Sequence, residues 1–151
     1  MIIIHLHKEK IMKTKHFFAV ALLLISTSSM AFSISGNSFD GNFTITSVNP
    51  GNGSTVITGE GFAGGGFGKV YYSHHLQTAN GIANEGHFDG HARTINQDGV
   101  MVAATLQGTW VREGTKIYLH SLDSFKDGIN FAKGTYDLME GTFDVKVWPV
   151  K

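Results

Sequence analysis

The clearest pattern along the chain is a two-residue alternation of apolar and polar positions in its central part. Every second residue from Val100 to Trp110 is small or apolar, which is the period of a β-strand with one buried face. A second alternating set, which includes Ile117 and Leu119, runs through the segment that follows. Short turns with glycine precede the first segment and join it to the second. The pattern therefore predicts a long β-hairpin over residues 96–122.

The same alternation recurs through the rest of the chain after residue 41. It predicts eight strands, over residues 42–48, 55–61, 69–77, 85–95, 100–110, 117–122, 129–139 and 142–150. Pairs of an acidic residue and a glycine, such as Asp98-Gly99 and Glu140-Gly141, mark turns between them. Short connections between successive strands favour an all-β fold, a single eight-stranded antiparallel barrel that is mostly up-and-down. A β-sandwich is the alternative fold.

The first 31 residues have a different character from the alternating segments. Basic residues come first, residues 17–25 are uncharged and apolar, and small residues lead up to Ala31. This order is that of a secretory signal peptide over residues 12–31, which leaves residues 32–151 as the barrel domain. Residues 1–11 precede a complete signal peptide, and we interpret them as a wrongly assigned start extension. The protein is therefore expected to be exported, to the periplasm or the extracellular space.

Charge and cysteine content exclude several classes of protein. Residues 1–31 contain four of the 12 basic and one of the 12 acidic residues, so the remainder has 8 and 11 and a net charge of −3. Proteins that bind nucleic acid usually carry a basic surface, so no nucleic-acid partner is expected. The chain has no cysteine, so the domain must fold without disulfides. No stretch after the signal peptide approaches the roughly 20 apolar residues of a membrane helix.

An outer-membrane barrel is also disfavoured by the sequence. Such a barrel needs an apolar band around its whole outer surface. In the last predicted strand, however, Asp144 and Lys146 alternate with Phe143 and Val145, so the face opposite the apolar one is charged. No membrane span is therefore expected after removal of the signal peptide.

Glycine and turn positions recur in a characteristic order along the predicted barrel. They are Gly59, Gly61, Gly66, Gly68, Asp98, Gly99, Gly108, Trp110, Gly114, Asp127, Gly128, Gly141 and Phe143. In this order the mature chain resembles the small exported bacterial barrels related to allene oxide cyclase. The resemblance implies the barrel fold and self-association into a homo-oligomer. The catalytic residues of the plant enzyme have no match at these positions, so the resemblance does not imply cyclase activity.

Motifs for metals, nucleotides and nucleophilic catalysis are incomplete. His87 and His91 lie four residues apart on a predicted strand, a separation of about 13 Å, which is too far to share one ion without a turn. The glycines at positions 59, 61 and 64 satisfy the dinucleotide pattern, but no helix follows them. There is no cysteine and no nucleophile elbow. We therefore expect no metal, no cofactor and no complete catalytic set.

A few aromatic and histidine residues are candidates for lining an interior cavity. They are Tyr72, His74, Trp110, His120 and Tyr136. His74 shares its predicted apolar face with Val70 and Leu76, so inside the barrel it would need a hydrogen-bond partner. A core histidine in a fully packed barrel is the simplest interpretation of this residue.

The leading functional hypothesis is an exported, non-enzymatic barrel that binds a small apolar or amphipathic ligand or has an accessory role at the cell envelope. It follows from the predicted closed barrel and the incomplete catalytic motifs. The alternative is an isomerase-like or cyclase-like enzyme in which His74 or His120 acts as acid or base in the cavity.

Overall fold

The computed structural model describes residues 34, 36–79 and 81–150, and these form a closed antiparallel β-barrel. The strands are β1 (Phe39–Pro50), β2 (Ser54–Ala63), β3 (Gly68–Ala79), β4 (Ile82–Ile95), β5 (Met101–Glu113), β6 (Lys116–Phe125), β7 (Gly128–Asp137) and β8 (Thr142–Val150). Each strand pairs with the next in sequence, and β8 pairs with β1. The predicted eight-stranded up-and-down barrel is confirmed, and the sandwich alternative is wrong because the sheet closes on itself.

The predicted start extension and signal peptide lie outside the described residues. Within the part of the chain that is described, no helix is long and apolar enough to cross a bilayer.

The alternation in the sequence determines which side chains point into the barrel. On β5, Leu106 and Trp110 are buried whereas Gln107 and Thr109 between them are exposed. The core contains thirteen buried side chains drawn from all eight strands: Phe43, Ile57, Val70, Tyr72, Leu76, Phe88, Ala92, Leu106, Trp110, Ile117, Leu119, Tyr136 and Phe143. Their burial is the main stabilising contribution to a domain without disulfides.

Aromatic rings fill this narrow barrel where the neighbouring strand carries glycine. A Cβ atom on Gly134 would collide with the ring of Phe143, which stacks on Tyr136 at a centroid distance of 4.2 Å. A Cβ atom on Gly59 would likewise collide with the Tyr72 hydroxyl group. The two glycines therefore make room for the aromatic cluster in the middle of the barrel.

The two ends of the barrel differ. We call the end with the β2–β3, β4–β5 and β6–β7 connections the upper end, and the opposite end the lower end. Trp110 closes the interior toward the lower end, where its indole Nε1 donates to the carbonyl oxygens of Gln77 at 3.1 Å and His87 at 3.0 Å. Ile57 and Leu76, both almost fully buried, pack at the same level. The space above this layer is therefore open only toward the upper end.

Candidate functional site: a cavity in the upper half of the barrel

A cavity of about 110 Å³ occupies the upper half of the barrel. Most of its wall is apolar and comes from inward-facing residues of all eight strands. A water molecule needs about 10 to 15 Å³ of such space, so the cavity has room for on the order of ten water-sized groups. It can therefore hold one compact ligand.

His74 forms the floor of the cavity and is hydrogen-bonded to Tyr136 beneath it. His74 Nδ1 lies 2.8 Å from the Tyr136 hydroxyl oxygen, and both residues are buried. Burial lowers the pKa of His74 to about 3 and raises the pKa of Tyr136 well above 10. At neutral pH the pair is therefore an uncharged imidazole and an uncharged phenol.

The Tyr72 hydroxyl is a second polar group on the cavity wall. Its oxygen is buried and has no hydrogen-bond partner among the described residues, although the nearby Tyr136 acts to lower its pKa, against the effect of burial. Burial raises the pKa of Tyr72 to about 12, so the group keeps its proton. Its ring is held between Phe43 and His74, at centroid distances of 5.4 and 4.9 Å. The wall therefore holds a fixed, uncharged hydroxyl group without a hydrogen-bond partner among the described residues.

A carboxyl group also lines the cavity, closer to the upper end. Asp123 Oδ1 is buried without a hydrogen-bond partner among the described residues, and so is Thr94 Oγ1 on β4. Asn130 is the cross-strand partner of Asp123 and is itself buried. Burial raises the pKa of Asp123 to about 6, and a hydrogen bond from Ser121 opposes that shift. Near pH 7 the carboxyl group is therefore mostly ionised despite its apolar surroundings.

Three phenylalanines border the mouth of the cavity. Phe67 lies in the β2–β3 turn, and its ring is 5.2 Å from that of Phe39 and 5.6 Å from that of Phe125. The turn that carries Phe67 contains Gly65 and Gly66, both with positive φ, a conformation that glycine adopts with little strain. A ligand must therefore pass these rings to reach the floor.

The structure brings together only some of the residues predicted for the site. Tyr72 and His74 line the cavity, and Tyr136 supports it from below through His74. Trp110 points inward as predicted but belongs to the layer that closes the lower end. The placement of His120 in the cavity is wrong, because strand alternation turns Leu119 inward and therefore His120 outward, where it is exposed beside Phe131.

Sequence reasoning missed Asp123, Thr94, Asn130 and the phenylalanines at the mouth. A signal for Asp123 exists in the chain, because it continues the inward alternation of Ile117, Leu119 and Ser121. A carboxylate on an otherwise apolar face is unusual enough to indicate a site.

Potential metal ligands do not converge in the described part of the chain. No three His, Asp or Glu side chains among residues 34, 36–79 and 81–150 lie close enough to hold a metal ion. His87 and His91 both face outward on β4.

Comparison of the chain with protein-family models, with curated proteins and with solved structures found no match. The class of protein is therefore defined by the fold and the cavity, as a small closed barrel whose upper half holds a mostly apolar cavity. The resemblance to barrels related to allene oxide cyclase stays a prediction.

Proposed function

We propose that this barrel is an exported, non-enzymatic binding protein for a compact amphipathic molecule. The observation that supports the proposal is the set of unsatisfied polar atoms in a mostly apolar cavity. Tyr72 Oη, Thr94 Oγ1 and Asp123 Oδ1 are each buried without a hydrogen-bond partner among the described residues, and all three residues line the cavity. A buried polar group without a partner costs about 1 to 3 kcal/mol. A ligand with an apolar body and a few polar groups would offset that cost.

The chemistry of His74 favours binding over catalysis. A general acid or base works best when its pKa lies near the operating pH, whereas burial lowers the pKa of His74 to about 3. Its Nδ1 atom is also engaged with Tyr136. The alternative hypothesis, an isomerase-like or cyclase-like enzyme, requires His74 to exchange a proton, so His74→Gln would then lower the rate by about 10² to 10⁴. A protein that only binds its ligand has no catalytic rate that this substitution could lower.

Native mass spectrometry of the processed protein from its host is the first experiment. We expect an additional mass that denaturation releases, or, after incubation with 2-phenylethanol as a compact amphipathic probe, one bound probe for each barrel. A bare protein that also fails to bind this probe in calorimetry would contradict the proposal.

Filling the cavity should abolish binding. Ala104 lines the cavity from β5, so Ala104→Leu places a larger side chain into about 110 Å³ of space. We expect the affinity for 2-phenylethanol to fall at least about tenfold, because the added methyl groups exclude the probe sterically. Calorimetric titration measures this loss.

The matched control for this variant is Ala103→Leu. Ala103 is the preceding residue on the same strand and faces outward, so it receives the same substitution without entering the cavity. Equal loss of affinity in both variants would mean that the probe does not bind in the cavity.

Shortening the side chain at the mouth should speed exchange of the ligand. Phe67→Ala removes the ring that contacts both Phe39 and Phe125. We expect the association and dissociation rates of 2-phenylethanol to rise together by about tenfold, because access past the rings limits both steps. NMR exchange spectroscopy measures the rates, and Phe62→Ala on the exposed outer face of β2 is the control. Unchanged rates in Phe67→Ala would show that the probe reaches the cavity by another path.

A further inference from the structure

The charge in the cavity is asymmetric. Asp123 is the one lining residue that is charged near pH 7, and no lysine or arginine in the described part of the chain lines the cavity. Three ion pairs between lysine and an acidic residue occur elsewhere in the described residues, and none includes Asp123. Among the described residues, therefore, no cation balances the carboxylate.

The strands that flank Asp123 contribute no titratable group to the cavity wall. β5 contributes Ala104 and Leu106 to the cavity wall, and β7 contributes Asn130 and Ala132. On the more distant walls, the titratable groups that line the cavity are Tyr72 and His74, both on β3 and both uncharged at neutral pH. A positive charge beside Asp123 must therefore come from outside the barrel wall.

We infer that the ligand of this cavity is a compact amine, bound with its ammonium group against Asp123 and its apolar body toward the aromatic floor. The inference rests on the proposed binding function and names the class of ligand. An ammonium group donates three hydrogen bonds. Asp123 Oδ1 is an unpartnered acceptor among the described residues, and its cross-strand partner Asn130 also lines the cavity. The rings of Phe88 and Phe143, which pack against His74, offer apolar contact to the rest of the molecule.

The charge of the carboxylate excludes the other simple classes of amphipathic ligand. A ligand with its own carboxylate would place two like charges in an apolar cavity, which is strongly unfavourable. A neutral alcohol can occupy the same position in the cavity, but it leaves the negative charge of Asp123 uncompensated. Charge-assisted hydrogen bonds are roughly twice as strong as neutral ones, so a cation is preferred.

Three probes of one shape and different charge test this inference: 2-phenylethylamine, 2-phenylethanol and phenylacetate. Each is titrated by calorimetry into the processed protein at pH 7.5, where the amine is cationic. We expect the amine to bind at least about tenfold more tightly than the alcohol, and phenylacetate to bind most weakly. Asp123→Asn should bring the affinity for the amine down to that for the alcohol.

Asp127→Asn is the matched control, because Asp127 is an exposed acid in the β6–β7 connection at the same end of the barrel. It changes the net charge equally and should keep the preference for the amine. Equal loss in both variants would show that the whole surface charge, rather than Asp123, attracts the amine, and would overturn the inference.

The three probes also separate this inference from the proposed function. If the alcohol binds as tightly as the amine, the cavity binds ligands but the assignment of an amine is wrong. If none of the three binds, both proposals are wrong. Lowering the pH from 7.5 to 5 should reduce the preference for the amine, because Asp123 takes up a proton with a pKa of about 6. A preference that does not change with pH would contradict the role of this carboxylate.

Discussion

Between pH 7 and pH 4.5 the barrel is expected to lose roughly 2.5 kcal/mol of stability through His74, and His74→Gln should abolish this loss. In the folded protein, burial lowers the pKa of His74 from 6.5 to about 3. The unfolded chain therefore binds a proton at this residue that the folded barrel does not. The contribution of the neutral histidine is fully present above pH 6.5 and is lost as the pH falls toward 3. Glutamine has no such titration and can still bond to Tyr136 through its amide group.

The measurement is the free energy of unfolding by urea at several pH values, for the original protein and the variant. The difference between the two curves isolates His74, because all other groups titrate in both proteins. His91→Gln is the control, since His91 is exposed on the outer face of β4. A constant difference between the His74→Gln and original curves would mean that His74 is hydrated in solution.

The alternation in the sequence was sufficient to predict the barrel, because the face of the sheet to which a side chain points depends only on its position along its own strand. Phe143, Val145 and Val147 were predicted to share one face, and all three line the cavity. The strands extend beyond the predicted bounds at several ends, most clearly in β1, which begins at Phe39. There the polar and glycine residues weakened the pattern.

The height of a side chain along the barrel axis could not be predicted in the same way. Trp110 and Tyr72 both point inward, but they lie on different levels because of the register between their strands. Trp110 is paired with Gly86 on β4, whereas Tyr72 is paired with Ala92 on the same strand. In hairpins the register is set by the type and length of each turn, and the sequence pattern did not fix the strand ends closely enough to give those lengths.

The polar residues of the cavity show a related limit. The alternation that places Leu119 inward also places Asp123 inward and His120 outward, so their sides were readable from the sequence. That Asp123 Oδ1 has no hydrogen-bond partner among the described residues could not be predicted, because it depends on which side chains the neighbouring strands contribute at that height. The chemistry of the site is therefore a property of the closed barrel.

Asp123→Asn is expected to stabilise the barrel by up to about 3 kcal/mol at pH 7.5 and by almost nothing at pH 4. Burial raises the pKa of this carboxyl from 3.8 to about 6. The folded state therefore holds a proton that the unfolded chain releases, so stability is greatest below about pH 4 and is lost as the pH rises through 6. Asparagine has a similar shape and carries no charge to bury. Urea unfolding at the two pH values measures the effect, with the exposed Asp127→Asn as control.

The titrations of Asp123 and His74 oppose each other over the same range of pH. Between pH 4 and pH 6 the neutral histidine loses its contribution as the pH falls, while the carboxyl group recovers its own. Their contributions to the unfolding curve of the original protein should therefore largely cancel. Between pH 4 and pH 6 the free energy of unfolding of the two single variants should change with pH in opposite directions. That of the double variant should again be nearly independent of pH. Parallel curves for all four proteins would contradict both assignments of burial. If these opposite pH dependences are found, Asp123 is a residue that weakens the barrel at neutral pH, and this is the cost that the proposed amine would offset on binding.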